Sequence, residues 1–185
     1  MMERITEASP QFTARLAGVF YLLTILAGAF AAFAGSTHAP YSKIANLVAT
    51  LCYIAVTFLF YFIFRPVSRS ISLLAGILSL VGCTLGLLSF FHIAPTRINS
   101  LVFFGFYCLL IGFLIIRSAF LPRILGALMA FGGLGWLTFL LPALAEHLSP
   151  YNMLPGIIGE GLLTLWLLVF GLNPERWKKQ AASQS

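Results

Sequence analysis

Apolar residues in this chain run on continuously, without the period-2 alternation of a half-buried or barrel strand. Six such runs stand out: residues 14–34, 44–64, 71–91, 101–116, 124–144 and 154–172. Most reach the ~20 residues that a helix needs to cross a ~30 Å hydrocarbon core. The fourth is the shortest, and extending it to 98–118 adds only Asn99 and Ser100 as polar residues near its start. Lipid offers no partner for a backbone N–H or C=O, so each segment has to pair its own, and helix is the remaining choice.

Proline marks the connections: Pro40 after Gly35, then Arg65-Pro66, Ala94-Pro95, Leu121-Pro122 and Ser149-Pro150. It lacks the N–H that an interior helical position needs, so it collects at helix ends. The loops are short, which makes consecutive helices antiparallel neighbours. The expected fold is all-α, a polytopic membrane protein built as a six-transmembrane-helix antiparallel bundle over residues 14–172. Residues 1–13 and 173–185 are expected to be cytoplasmic tails, the second of them basic.

Composition agrees. Of 185 residues, 60% are hydrophobic and 9% charged, against about 25% charged in soluble domains. The net charge of +6 raises nucleic acid as a partner, but the basic residues sit singly or in pairs at the ends of apolar runs. No interleaved basic–aromatic stripe is present, so no nucleic-acid partner is expected. Their positions fit topology and contact with anionic lipid at the cytoplasmic rim instead. Arg4, Arg15, Arg65, Arg69, Arg117, Arg123, Arg176, Lys178 and Lys179 fall on one side of the predicted bundle, and only Lys43 and Arg97 on the other. That bias assigns both termini to the cytoplasm, and the expected location is the plasma membrane, as a multi-pass protein. Ala32-Phe33-Ala34 resembles a signal-peptidase site, but the run before it exceeds the 7–15 residues of a cleavable signal, so the first helix is expected to be retained.

Small residues recur where helices can approach: Gly82 and Gly86, Gly28 and Ala32, and Gly126, Ala130, Gly132, Gly133 and Gly135 in the fifth run. Packing within one chain is the expected use, since van der Waals contact drives helix association in lipid; the oligomeric state stays open. The two basic turns, Arg65 to Arg69 and Arg117 to Arg123, each carry Arg, Pro and Arg followed by an early glycine (Gly76, Gly126). This fits either duplicated hairpins or two independent solutions to a tight turn.

Ordered matches on four helices carry a family resemblance. Residues 15–28 (RLAGVFYLLTILAG), the turn 65–69 (RPVSR), residues 101–136 (LVFFGFYCLLIGFLIIRSAFLPRILGALMAFGGLGW) and residues 155–171 (PGIIGEGLLTLWLLVFG) resemble the bacterial membrane family called domain of unknown function 4386. The resemblance implies a prokaryotic multi-span protein of the inner membrane. It carries over no activity, cofactor, catalytic residue or ligand residue.

Glu160 carries the most chemical information. It lies six residues into the last run, about 9 Å along the axis at 1.5 Å per residue. An ionisable side chain at such depth costs on the order of 2.5–3.5 kcal/mol on insertion scales and marks a functional hypothesis. Gly159 and Gly161 flank it. A structural carboxylate bonded between helices is the alternative. The line Gly156, Glu160, Thr164 should face the bundle interior, because positions four apart share a face. His38, His92, His147, Glu146, Arg97, Asn46, Asn99, Ser89 and Asn152 all fall in the same outer half, which fits an outward-opening polar cavity or the ordinary gathering of polar groups at an interface. Partners for Glu160 at suitable depth are Asn46, Thr50, Ser89 and His92, with Arg97 reaching from its loop.

No H-x-x-x-H, H-E-x-x-H, G-x-S-x-G, P-loop or dinucleotide fingerprint occurs, so no metal or cofactor is expected. Cys52, Cys83 and Cys108 lie mid-run without C-x-x-C spacing and are expected to be buried small hydrophobes. Three functions follow. The first is binding or passage of a small solute or lipid through a polar pocket around Glu160, without catalysis. The second is a membrane-embedded enzyme using Glu160 or Glu146 with His92 or His147. The third is an accessory protein whose glycine-rich faces pack against a partner.

Overall fold

The computed structural model describes residues 9–34, 39–91 and 99–183. These residues form helices joined by short turns, and no strand occurs among them. The helices are α1 (Pro10–Ala34), α2 (Ala39–Phe64), α3 (Arg69–Phe90), α4 (Leu101–Arg117), α5 (Arg123–Leu137), α6 (Pro142–Leu148), α7 (Leu154–Val169) and α8 (Pro174–Ala182).

Among the described residues five helical segments are long and apolar enough to cross a membrane: Pro10–Ala34, Pro40–Phe64, Arg69–Leu88, Arg123–Leu140 and Tyr151–Val169. Leu101–Arg117 is apolar but shorter, at 17 residues. Its expected extension to Ser118 stops because Ser118 is already extended, with ψ 147°. The expected continuous fifth run also breaks. After α5 a 3-10 turn covers Thr138–Leu140, Leu141 becomes extended, and Pro142 starts the separate seven-residue α6. Proline removes the N–H that a continuing helix would need there.

Helices α1, α2, α3, α4, α5 and α7 pack in that order, and α7 returns to α1, closing a ring. Each helix runs opposite to its neighbours, so Arg15, Arg65, Arg69, Arg117 and Arg123 gather, exposed, at one end. Apolar side chains line the ring interior: Phe60, Ile111, Leu114, Met129 and Leu163 are all almost fully buried. Large apolar side chains also cover the outside, among them Leu26, Leu51, Ile77, Phe131 and Leu165, each at least half exposed. A bundle apolar on both inner and outer faces is a membrane architecture.

Small residues set the closest seam. In α4 and α5, Gly112 opposes Gly126 and Gly105 opposes Gly133, so a Cβ at either member of a pair would meet the other helix's carbonyl oxygen within 3.1 Å. Polar side chains tie other seams. Thr57 Oγ1 and Ser79 Oγ are 2.6 Å apart between α2 and α3, and Ser42 donates to the Ala31 carbonyl between α2 and α1. Such interhelical bonds average roughly 0.6 kcal/mol each in lipid.

Within the expected basic tail, Pro174–Ala182 form helix α8. Gly171, at φ 69°, turns the chain where an L side chain would be strained, and Asn173 caps α8 by accepting from the Arg176 N–H. Helix α8 folds back on the Arg-bearing end. Trp177 Nε1 donates to the Ile63 carbonyl at 2.9 Å, and Gln180 accepts from the Ala119 N–H.

Candidate functional site: a buried carboxylate inside the ring

Helix α7 carries Gly156, Gly159, Glu160, Leu163, Thr164 and Leu167 on its buried face. The expected interior line of Gly156, Glu160 and Thr164 is therefore observed. Two glycines let α5 come close enough to serve Glu160. A Cβ at Gly156 would run into the Trp136 indole, and one at Gly159 into the Leu128 carbonyl oxygen.

With the indole lying against Gly156, Trp136 Nε1 donates to Glu160 Oε1 at 2.7 Å. Tyr21 Oη on α1 donates to Oε2 at 2.8 Å. Cys108 Sγ on α4 donates to Oε1 at 3.7 Å. Glu160 is thus joined to three other helices through uncharged donors, and the Tyr21 bond crosses the seam where the ring closes. Thr164 adds a bond to the Glu160 backbone carbonyl at 2.7 Å.

Further aromatic hydroxyls surround this carboxylate. The Tyr21 and Tyr53 rings meet edge-on at 5.6 Å, and Tyr53 lies 5.8 Å from Tyr107. Phe60 and Phe104 pack beside them. Glu160, Tyr21, Tyr53, Tyr107 and Cys108 are electrostatic neighbours. The Tyr53 hydroxyl faces that of Tyr21 without an acceptable hydrogen-bond geometry, and neither Tyr53 Oη nor Tyr107 Oη has a partner among the described residues.

The partners expected from sequence are placed elsewhere. Asn46 is exposed on α2, and half-buried Thr50 donates to the Asn46 carbonyl rather than to Glu160. Ser89 lies within α3, and its side chain is outside the described residues, as are His92, Arg97 and His38. Glu146 and His147 are exposed on α6, whereas Glu160 is buried. Asn152, just ahead of α7, is buried; its Nδ2 donates to Thr138 Oγ1 and its Oδ1 is unpartnered among the described residues. All three cysteines are free. Cys108 is more than a filler, since its thiol reaches the carboxylate.

Sequence reading missed Tyr21, Tyr53, Tyr107 and Trp136, which sit in apolar runs and count there as apolar. The available signal was that a tyrosine or tryptophan deep in a span still has a polar tip that seeks a partner. Among the described residues no three His, Cys, Asp or Glu side chains come together to hold a metal ion. A groove of about 390 Å³ opens at the Arg-bearing end, lined by Phe120, Trp166, Phe170, Asn173 and Arg176 among others, and Glu160 is not part of it.

These features define a multi-pass membrane protein with a buried carboxylate cluster. Residues 96–171 match the family described as domain of unknown function (DUF4386), the family that the sequence resembles, and the match takes in α4, α5 and α7 with Cys108, Trp136 and Glu160. An uncharacterized protein of Archaeoglobus fulgidus is 28% identical over 137 residues, covering 71% of this chain and 84% of that protein. No solved structure matches the chain.

Proposed function

We propose that this is a six-span membrane protein that binds or passes a small solute inside the helix ring at Glu160, without catalysis of its own. The observation that carries the reading is the carboxylate held by Tyr21, Cys108 and Trp136 from three other helices, beside two buried hydroxyls without a partner among the described residues. A purely structural role for the carboxylate accounts for those three donors and leaves the two tyrosine hydroxyls unexplained. Leu101–Arg117 acts as the sixth span. At 17 residues it falls at the lower end of the roughly 17–25 that cross a bilayer, and it sits in the ring between α3 and α5. The Arg-bearing end faces the cytoplasm, and its arginines contact anionic lipid. Among the described residues no observation favours an enzyme: the exposed Glu146 and His147 do not join the buried Glu160.

Thermal unfolding of the reconstituted protein against cations, anions, neutral polyols and short-chain lipids tests this. At least one class should raise the Tm of the wild type and leave Glu160→Gln unmoved, with both proteins folded. Equal responses in the two, or none, would sink the reading and favour an accessory role.

A further inference from the structure

We infer that the Glu160 cluster holds a small monovalent cation, bound by the carboxylate together with the hydroxyl oxygens of Tyr53 and Tyr107; this rests on the reading of Glu160 as a binding site. A carboxylate offers about four lone-pair directions. Glu160 Oε1 accepts two donors, and Oε2 accepts only Tyr21, which leaves acceptor capacity on the Tyr21 side. Tyr53 adjoins Tyr21 there, and Tyr107 adjoins Tyr53. Tyr53 is 7% and Tyr107 1% exposed, and both hydroxyls are unpartnered among the described residues. Leaving such a group unsatisfied destabilises the fold. Two phenol oxygens and one carboxylate oxygen together supply hard oxygen ligands.

Charge selects the occupant. The partners of Glu160 among the described residues are all neutral, so an anion would meet the carboxylate with no described charge to offset it. A divalent ion would leave a net positive charge in a low-dielectric interior, and calcium ordinarily takes 6–8 oxygens. A monovalent cation forms a neutral pair with one carboxylate, the arrangement that a lipid-embedded site tolerates best. An alkali ion and a primary ammonium share this chemistry.

The full-length protein in nanodiscs tests the assignment by thermal unfolding in sodium, potassium or methylammonium chloride, with N-methylglucamine chloride holding ionic strength constant. A saturable rise in Tm with at least one small cation is expected. Tyr53→Phe/Tyr107→Phe, which keeps both rings, should weaken the apparent Kd by about tenfold or more, equivalent to 1.4 kcal/mol. Glu160→Gln should abolish the response. A response to methylammonium alone would identify the amine as the source, and a response to sodium or potassium alone the ion. A wild type indifferent to all three cations, or a tyrosine double variant of unchanged affinity, overturns the inference. A Glu160-dependent response to a neutral solute or anion but not to cations overturns it while leaving the proposed function standing. No Glu160-dependent response to anything overturns both.

Discussion

Trp136 Nε1–H can only donate, and it meets Glu160 Oε1, so any replacement at position 160 must keep an acceptor there. Glutamine can. Its carbonyl can face Trp136, and its amide can face Tyr21, whose hydroxyl accepts as readily as it donates. Leucine cannot, and it strands both donors. Glu160→Gln should therefore change stability by less than about 1 kcal/mol, and Glu160→Leu should lower it by about 1–3 kcal/mol for each stranded group. Denaturant unfolding of the two purified variants measures the difference; equal losses would contradict this hydrogen-bond assignment. Glu160 itself was legible in the sequence because a charged residue in an apolar run is conspicuous. Its partners were not, because tertiary packing chose residues whose apolar bodies hid their polar tips. Asn46 and Thr50 had the right depth and chemistry, but a helix rotates on a 3.6-residue period, and its phase is set by neighbours that the sequence does not display.

Glycines divide in the same way at the level of helices. Gly112 and Gly126 each leave no room for a Cβ against the opposing backbone, whereas Gly28 and Gly86 have nothing within 4 Å among the described residues. Gly112→Ala should force α4 and α5 apart and lower stability by about 1–3 kcal/mol. Gly86→Ala should be neutral or raise it by up to about 1 kcal/mol through helix propensity. Unfolding midpoints of the two variants decide this, and a destabilising Gly86→Ala would mean that the α3 pair is packed after all. The G-x-x-x-G spacing of Gly82 and Gly86 was the more visible signal. Only Gly82 is used, against the Phe104 ring. The seven-residue spacing shared by Gly105 and Gly112 on one helix and Gly126 and Gly133 on the other was the informative one, and it becomes visible only when the two helices are aligned antiparallel. Helix α8 escaped notice because Arg176, Lys178 and Lys179 read as a solvated basic tail. Trp177, between them, docks the segment instead.

For the whole molecule, the apolar runs and basic turns foretold the helices and the gathering of arginines at one end. They did not foretell the closed ring, since sequence order says nothing of whether the first and last members meet. The side of the membrane on which the arginines gather is testable through topology. Reporter fusions at Arg69 and at the C-terminus should both read cytoplasmic, and one near His38 external. An external C-terminus would refute the proposed six-span arrangement.

Closure of the ring also orders events during synthesis. The seam between α1 and α7, where Gly18 meets Leu167 and Leu168 and Tyr21 meets Glu160, joins the earliest described helix to the last one in the ring. Until α7 leaves the ribosome, Tyr21, Cys108 and Trp136 stand in a nascent, open arc with their shared acceptor not yet made. The final spanning segment thus acts as a keystone: it brings the costliest side chain into the bilayer at the moment when all its donors are already in place.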